Sequence, residues 1–354
     1  MISKKYVLFI TILLVLLITS SCSEDKKFVK KGKESLKNSK QEQALVYFDK
    51  ALEINPKNKE ALINKGKILL LKLDTIGEAL ICFDKVLKID TENIEAWNGK
   101  GSYFYMQQKN KEALECFDVV LNKDPNNLDS LIGKSLVFES QGNYEEAIKC
   151  YDKILEINPD YLAAWYNKGN ALYAINKYEE AIKCYDKALE FNPKYVEAWY
   201  QKGCVLNFTG TYEEAIKCYD KALEIDPNNV AAWNGKGNAW KQNGDYLFSH
   251  EKYEEAINCF NKALEIDPNN AITWDFKGRA LSLLKKYEEA INCFDKSLEI
   301  DPNNAAAWVI KGLNLSDQEK YEEAINCYDK ALEIDPNNAG ALEFKMDSIL
   351  HRHW

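Results

Sequence analysis

Apolar positions along this chain recur with a helical period. Within residues 162–195, Trp165, Gly169 and Leu172 fall within about 60° of one another at 100° per residue, a stripe that fits one face of an α-helix. Asn176 and Lys177 then form a polar turn signal. A second stripe follows in Ala181, Tyr185 and Ala188, with Ile182 and Leu189 beside it. Asn192–Pro193 ends this helix, because the residue before a proline is pushed out of the α region. The wet face carries i,i+4 pairs such as Glu179 and Lys183, worth about 0.3 kcal/mol. The pattern predicts two antiparallel helices, with small residues (Gly169, Ala181) where they approach closely.

The same pattern recurs down the chain. Pro125, Pro159, Pro193, Pro227, Pro268, Pro302 and Pro336 are evenly spaced except for one longer step, from Pro227 to Pro268. The interval from Pro56 to Pro125 is two such units plus one inserted residue, with Thr91 in the place of the missing proline. The chain is therefore a tandem array, and counting globular domains by length does not apply. With Trp165 as position 4 of the unit 162–195, aromatics at positions 4 and 24 are expected to fill the space within and between hairpins. In later copies Asp-Pro-Asn-Asn, as at Asp301 to Asn304, ends one helix, and its second asparagine is placed to cap the next. A single hairpin of this kind cannot bury its apolar faces alone, so stacking is obligatory.

Trp165, Lys168-Gly169, Tyr173, Ala181, Tyr185 and Pro193, recurring in register, resemble the tetratricopeptide repeat (TPR). The resemblance covers about residues 25–354 and implies an all-α, right-handed superhelical solenoid of helix-turn-helix units. The expected units are 25–58, 59–93, 94–127, 128–161, 162–195, 196–229, 230–270, 271–304 and 305–338, with a capping helix in 339–354. There are departures from the family pattern. Position 7 is lysine where leucine is usual, as in Lys65, Lys168 and Lys311; its stem is expected to pack while its ammonium snorkels outward. The first unit has Phe28 and Gln41 at positions 4 and 17, and Ser135 replaces a glycine in the fourth. The seventh carries seven extra residues around 244–251, close to two helical turns, expected to form a lengthened, projecting hairpin.

Composition narrows the chemistry. Lys and Arg number 46 against 55 Asp and Glu, a net charge of −9, which disfavours a nucleic-acid binder. Three histidines and the absence of Walker, GxSxG and HExxH motifs leave no catalytic constellation, metal site or cofactor site, so no enzyme is expected. The recurring acidic pairs, such as Glu179–Glu180, open second helices and complement the helix dipole. His351-x-His353 reads as a frayed end, and the sequons at Asn207 and Asn314 fall within or at the end of packed helices. Eight of the ten cysteines occupy position 23 of successive units. Stacked equivalents lie about 8–10 Å apart, beyond disulfide reach, so they read as small buried hydrophobes. Cys204, on a first helix, is the exception.

The N-terminus reads as a targeting segment. Lys4 and Lys5 precede an apolar run from Tyr6 to Ile18, and Ser20 and Ser21 precede Cys22. The arrangement resembles a prokaryotic lipoprotein signal peptide in which Cys22 is lipidated, although Thr19 stands where leucine is usual. An outward-facing lipoprotein is one reading. The other is an uncleaved anchor with the repeats in the cytoplasm, supported by the lysines between 26 and 40 and by the many thiols. Those lysines form a solvated first helix, or attract anionic headgroups.

What remains is surface. In the TPR family, first-helix positions 2, 5, 9, 12 and 13 line a concave groove that holds extended peptides. The matching residues are Asn98, Ser102 and Tyr105; Tyr166, Asn170 and Tyr173; Tyr200, Cys204, Asn207 and Phe208; Asn234, Asn238 and Lys241; and Asp275 and Arg279. Asparagine both donates to and accepts from a peptide backbone, and tyrosine adds contact area with a hydroxyl. Position 5 is never lysine, which disfavours the carboxylate clamp found in some TPR domains. The expected function is a membrane-anchored scaffold for a partner protein or peptide. The alternatives are an oligomerising repeat protein that uses the stack edges or the 244–251 insert, and a glycan-binding module.

Overall fold

The computed structural model describes residues 24–351 except Phe248; Cys22 and the segment before it, and His353, lie outside the described residues. Every regular element among the described residues is helical. The helices group into two compact units divided between Ala164 and Trp165. The first unit holds α1 (24–37), α2 (Gln41–Ile54), α3 (Lys59–Leu69), α4 (Ile76–Ile89), α5 (Ile94–Met106), α6 (Asn110–Leu121), α7 (Leu128–Ser140) and α8 (Tyr144–Ile157). A short 3-10 turn, Leu73–Thr75, precedes α4. The boundary falls within the first turn of α9 (Leu162–Ala174), and α10 (Tyr178–Phe191), α11 (Val196–Phe208), α12 (Tyr212–Ile225), α13 (Val230–Leu247) and α14 (His250–Ile266) follow it. They are followed by α15 (Ala271–Leu283), α16 (Tyr287–Ile300), α17 (Ala305–Ser316), α18 (Tyr321–Ile334) and α19 (Ala339–His351). Within each unit, a helix packs on its chain neighbour and first helices pack on first helices, as α5 does on α7 and α11 on α13.

Each described hairpin except the fourth brings one glycine against one aromatic ring. The rings at position 24, including Phe83, Phe117, Tyr185, Tyr219 and Phe294, are fully buried. A Cβ on Gly169 would lie 2.6 Å from Tyr185, and one on Gly203 would lie 2.8 Å from Tyr219. Several rings are also covered from the following hairpin: Phe117 sits between Gly101 and Gly133, and Tyr219 between Gly203 and Gly235. In the fourth repeat Ser135 takes the glycine's place, buried, with its hydroxyl donating to the Ile132 carbonyl at 2.7 Å. Alanines at position 20, such as Ala181 and Ala215, are wholly inaccessible.

The tryptophans at position 4 are only half-buried, and they mark the junction between repeats. The indole N–H groups of Trp199, Trp233, Trp274 and Trp308 donate to the carbonyls of Pro193, Pro227, Pro268 and Pro302, at 2.9–3.0 Å. Trp97 makes the same bond to Thr91, so the missing proline is neutral for this contact. Position-7 lysines do more than snorkel. Six of them reach an aspartate on the preceding second helix: Lys65 pairs with Asp49, Lys100 with Asp84, Lys134 with Asp118, Lys202 with Asp186, Lys236 with Asp220 and Lys311 with Asp295, at 2.5–2.8 Å. Lys100, Lys202, Lys236 and Lys311 also lie 5.3–5.8 Å from the rings of Trp97, Trp199, Trp233 and Trp308. A half-exposed pair of this kind contributes about 0.5 kcal/mol, and its recurrence sets the register between neighbouring hairpins.

Asparagine caps begin the first helices. Asn58, Asn93, Asn127, Asn270 and Asn304 each accept a hydrogen bond from the backbone N–H three residues on. Tyr195 takes that place before α11 and makes no side-chain cap. The turn between paired helices uses a left-handed residue: Gly142 and Gly210, but also Gln108, Asn176, Lys285 and Glu319, with φ of 58–82°. The seven-residue insert lengthens both helices of its hairpin. Helix α13 has 18 residues and α14 has 17, against 13 and 14 in α11 and α12. The extension is tied down: Gly244 packs on Tyr253, whose hydroxyl donates to Asp245, and buried Asn243 donates to Glu213 of α12.

Candidate functional site

First helices α9, α11, α13 and α15 of the second unit together wall a groove of about 680 Å³. Six of the expected residues line it: Tyr173, Tyr200, Asn207, Phe208, Asn234 and Asn238, together with Cys204. Helical spacing places them there. Asn234 and Asn238 are one turn apart on α13, and Tyr200, Cys204 and Asn207 recur at three to four residues on α11. Burial pushes the Tyr173, Tyr200 and Cys204 acid groups above their ordinary values, so all three are neutral at pH 7. Cys204 is therefore a weak nucleophile; it accepts the Tyr219 hydroxyl at 3.6 Å. The Asn207 side-chain oxygen is buried and has no hydrogen-bond partner.

The other expected residues are placed differently. Asn170 accepts the Tyr185 hydroxyl at 2.8 Å, and Tyr166 packs its ring 6.1 Å from Tyr185 and 5.1 Å from Tyr195. Lys241 pairs with Asp245 at 2.8 Å, and Arg279 with the buried Asp275 at 2.6 Å. In the first unit, Asn98 is buried and bonds to Asn127 and to the Ser130 hydroxyl of the next first helix. It borders, with Ser102, a smaller hollow of about 240 Å³. Tyr105 packs against Ala113, Phe117 and Val137. The reason is geometric. A helical projection orders residues by angle, but adjacent first helices meet near position 5. Residues there bind the next repeat: Asn98 with Ser130, and Asn234 with Thr273 at 2.8 Å.

Sequence reasoning passed over other lining residues, Ile272, Gln242 and Phe276 among them. Ile272 and Gln242 occupy positions 2 and 13 of the same template, so the template reached them; the preference for tyrosine and asparagine did not. Phe276, at position 6 and so outside the template, lines the groove and packs on Phe260 with centroids 5.9 Å apart. Among the described residues no group of three His, Cys, Asp or Glu side chains is placed to hold a metal ion. No described helix is long and apolar enough to cross a membrane.

Comparison with family models agrees with this geometry. Models described as tetratricopeptide repeat match residues 28–58, 162–195 and 184–217, and one described as TPR repeat matches 136–176 and 209–244. The chain carries tetratricopeptide repeats. A model described as anaphase-promoting complex, cyclosome, subunit 3 matches residues 249–331. Among solved structures, a tetratricopeptide repeat protein from Parabacteroides merdae superposes with a TM-score of 0.56 at 22% identity, over 72% of this chain and 98% of that one. The C-terminal part of a TPR protein from Cytophaga hutchinsonii gives 0.55 at 19% identity, over 69% and 97%. The Cut9–Hcn1 assembly gives 0.52 at 18% identity, over 88% of this chain and 60% of that one. These likenesses show the fold. No curated protein matches the chain significantly.

Proposed function

We propose that this TPR protein is a membrane-anchored scaffold that holds an extended segment of a partner protein in the groove of α9, α11, α13 and α15. One observation carries the groove reading: six side chains chosen from helical spacing converge on a single trough. The reading involves no catalytic step. Capture of a crosslinked partner from native membranes, repeated with Phe208→Ala/Asn238→Ala, tests it. Capture should fall at least about tenfold, as expected when an interface loses a central contact; equal capture by the variant overturns the assignment. Anchoring rests on residues 1–22, and mass spectrometry of the N-terminal peptide tests it. A lipid on Cys22 supports an outward-facing lipoprotein, and an intact Met1 supports an uncleaved anchor.

A second reading, self-association through a stack edge, is favoured by α19. Leu342, Met346 and Leu350 form an exposed i, i+4, i+8 stripe, with Met346 70% exposed. Met346 stands at the position that Gly312 holds one repeat earlier, where a Cβ would strike Tyr328. An ordinary second helix with its aromatic ring would therefore not fit on this face. Light scattering that finds a monomer at high concentration overturns this reading.

A further inference from the structure

The groove is lined without charge. None of its side chains is Asp, Glu, Lys, Arg or His, although 29% of the chain is charged. The two cations expected at this face are each closed off one turn away on their own helix, Lys241 by Asp245 and Arg279 by Asp275. A charged ligand group seated in the groove would lose hydration and meet no opposite charge, which is strongly unfavourable.

The groove offers amides instead. Asn238 and Gln242 are one turn apart on α13. Four helical residues rise about 6 Å, close to the roughly 6.6 Å between same-side groups of an extended chain. The Asn207 side chain adds a third amide from α11. At the α9–α11 end, Tyr173, Tyr178 and Phe208 cluster with centroids 5.2–6.4 Å apart, and Phe208 is 64% exposed. Their rings are inclined to one another by 51–90°, which gives a pocket edge rather than the flat platform a sugar ring stacks on.

The geometry points to one class of occupant: an uncharged, extended polypeptide segment. Its backbone amides pair with Asn207, Asn238 and Gln242, and an aromatic or large aliphatic side chain packs on Tyr173, Tyr178 and Phe208. This rests on the groove reading above and narrows its ligand.

The test is an array of synthetic peptides of equal length and aromatic content, in neutral, acidic and basic sets, probed with the full chain beside neutral oligosaccharides. The neutral peptides should be retained at least about tenfold more than either charged set. Retention should hold when salt rises from about 0.1 to about 1 M, which shortens the Debye length from about 10 to about 3 Å. Phe208→Ala, at an exposed site, should leave the helical circular dichroism unchanged and reduce retention about tenfold. Asn238→Asp should lose neutral peptides and gain basic ones. Preference for a charged set that Phe208→Ala abolishes overturns this inference and leaves the groove reading standing. Groove-dependent retention of oligosaccharides alone overturns the polypeptide assignment. Retention of nothing, or retention that Phe208→Ala leaves unchanged, overturns both.

Discussion

At the residue scale, the decisive quantity is the space beside each glycine. A methyl group at position 203 would press on a rigid, fully buried tyrosine ring at 2.8–3.0 Å. Overpacking of that kind costs about 1–3 kcal/mol, so Gly203→Ala should lower the urea midpoint by a matching amount. Gly77 provides the contrast. It lies in α4 with nothing within 4 Å of its would-be Cβ, and Gly77→Ala should be neutral or stabilising by up to about 1 kcal/mol. One chemical change at two glycines thus differs in sign, and the aromatic ring opposite decides which.

At the element scale, helix ends rather than helix interiors distinguish one repeat from another. The Asn270 side chain caps α15 by accepting from the Thr273 N–H at 3.0 Å. Asn270→Ala should cost about 1 kcal/mol, with faster amide exchange in the first turn of α15. At the other end of the same helix, Lys285 is left-handed with φ 58°. An L side chain pays roughly 1 kcal/mol there, so Lys285→Gly should recover about 0.5–1 kcal/mol. The insert follows the same logic of whole turns. Its residues continue helical periodicity, so the faces of α13 and α14 keep their partners, and Asn238 and Gln242 stay on the groove side.

At the scale of the whole molecule, the ladder of position-23 thiols couples stability to pH. Cys82, Cys116, Cys150, Cys218, Cys259, Cys293 and Cys327 are buried free thiols. Burial disfavours their thiolates and pushes Cys116, Cys150, Cys218, Cys293 and Cys327 up to about 11, and Cys259 to about 12, from an ordinary 9.0. Between those values the unfolded chain releases protons that the folded chain retains. The thiols therefore leave stability unchanged below about pH 8, and stability falls as pH rises from about 9 to 11. Urea midpoints measured across that window should drop steadily, and Cys259→Ala should flatten the slope. A flat profile would show that the thiolates are accommodated in the fold.

Much of this architecture was legible from periodicity alone. Proline spacing, the paired stripes and the asparagine caps specify where helices start and stop, because those signals act within a few residues of themselves. The thiols at position 23 were legible as core for the same reason. Contacts between repeats were less so. Lys100 finds Asp84, and Lys202 finds Asp186, on the helix before, and nothing local to either lysine marks its partner. The same holds at position 5, where Asn98 and Asn234 turn to the next helix. Helices, hairpins and apolar faces follow from angle and spacing along one chain, and so they could be read from the order of residues without coordinates. Which outward-facing residues stay open could not. That depends on how closely neighbouring helices approach, a distance set by the glycine and the ring packed between them.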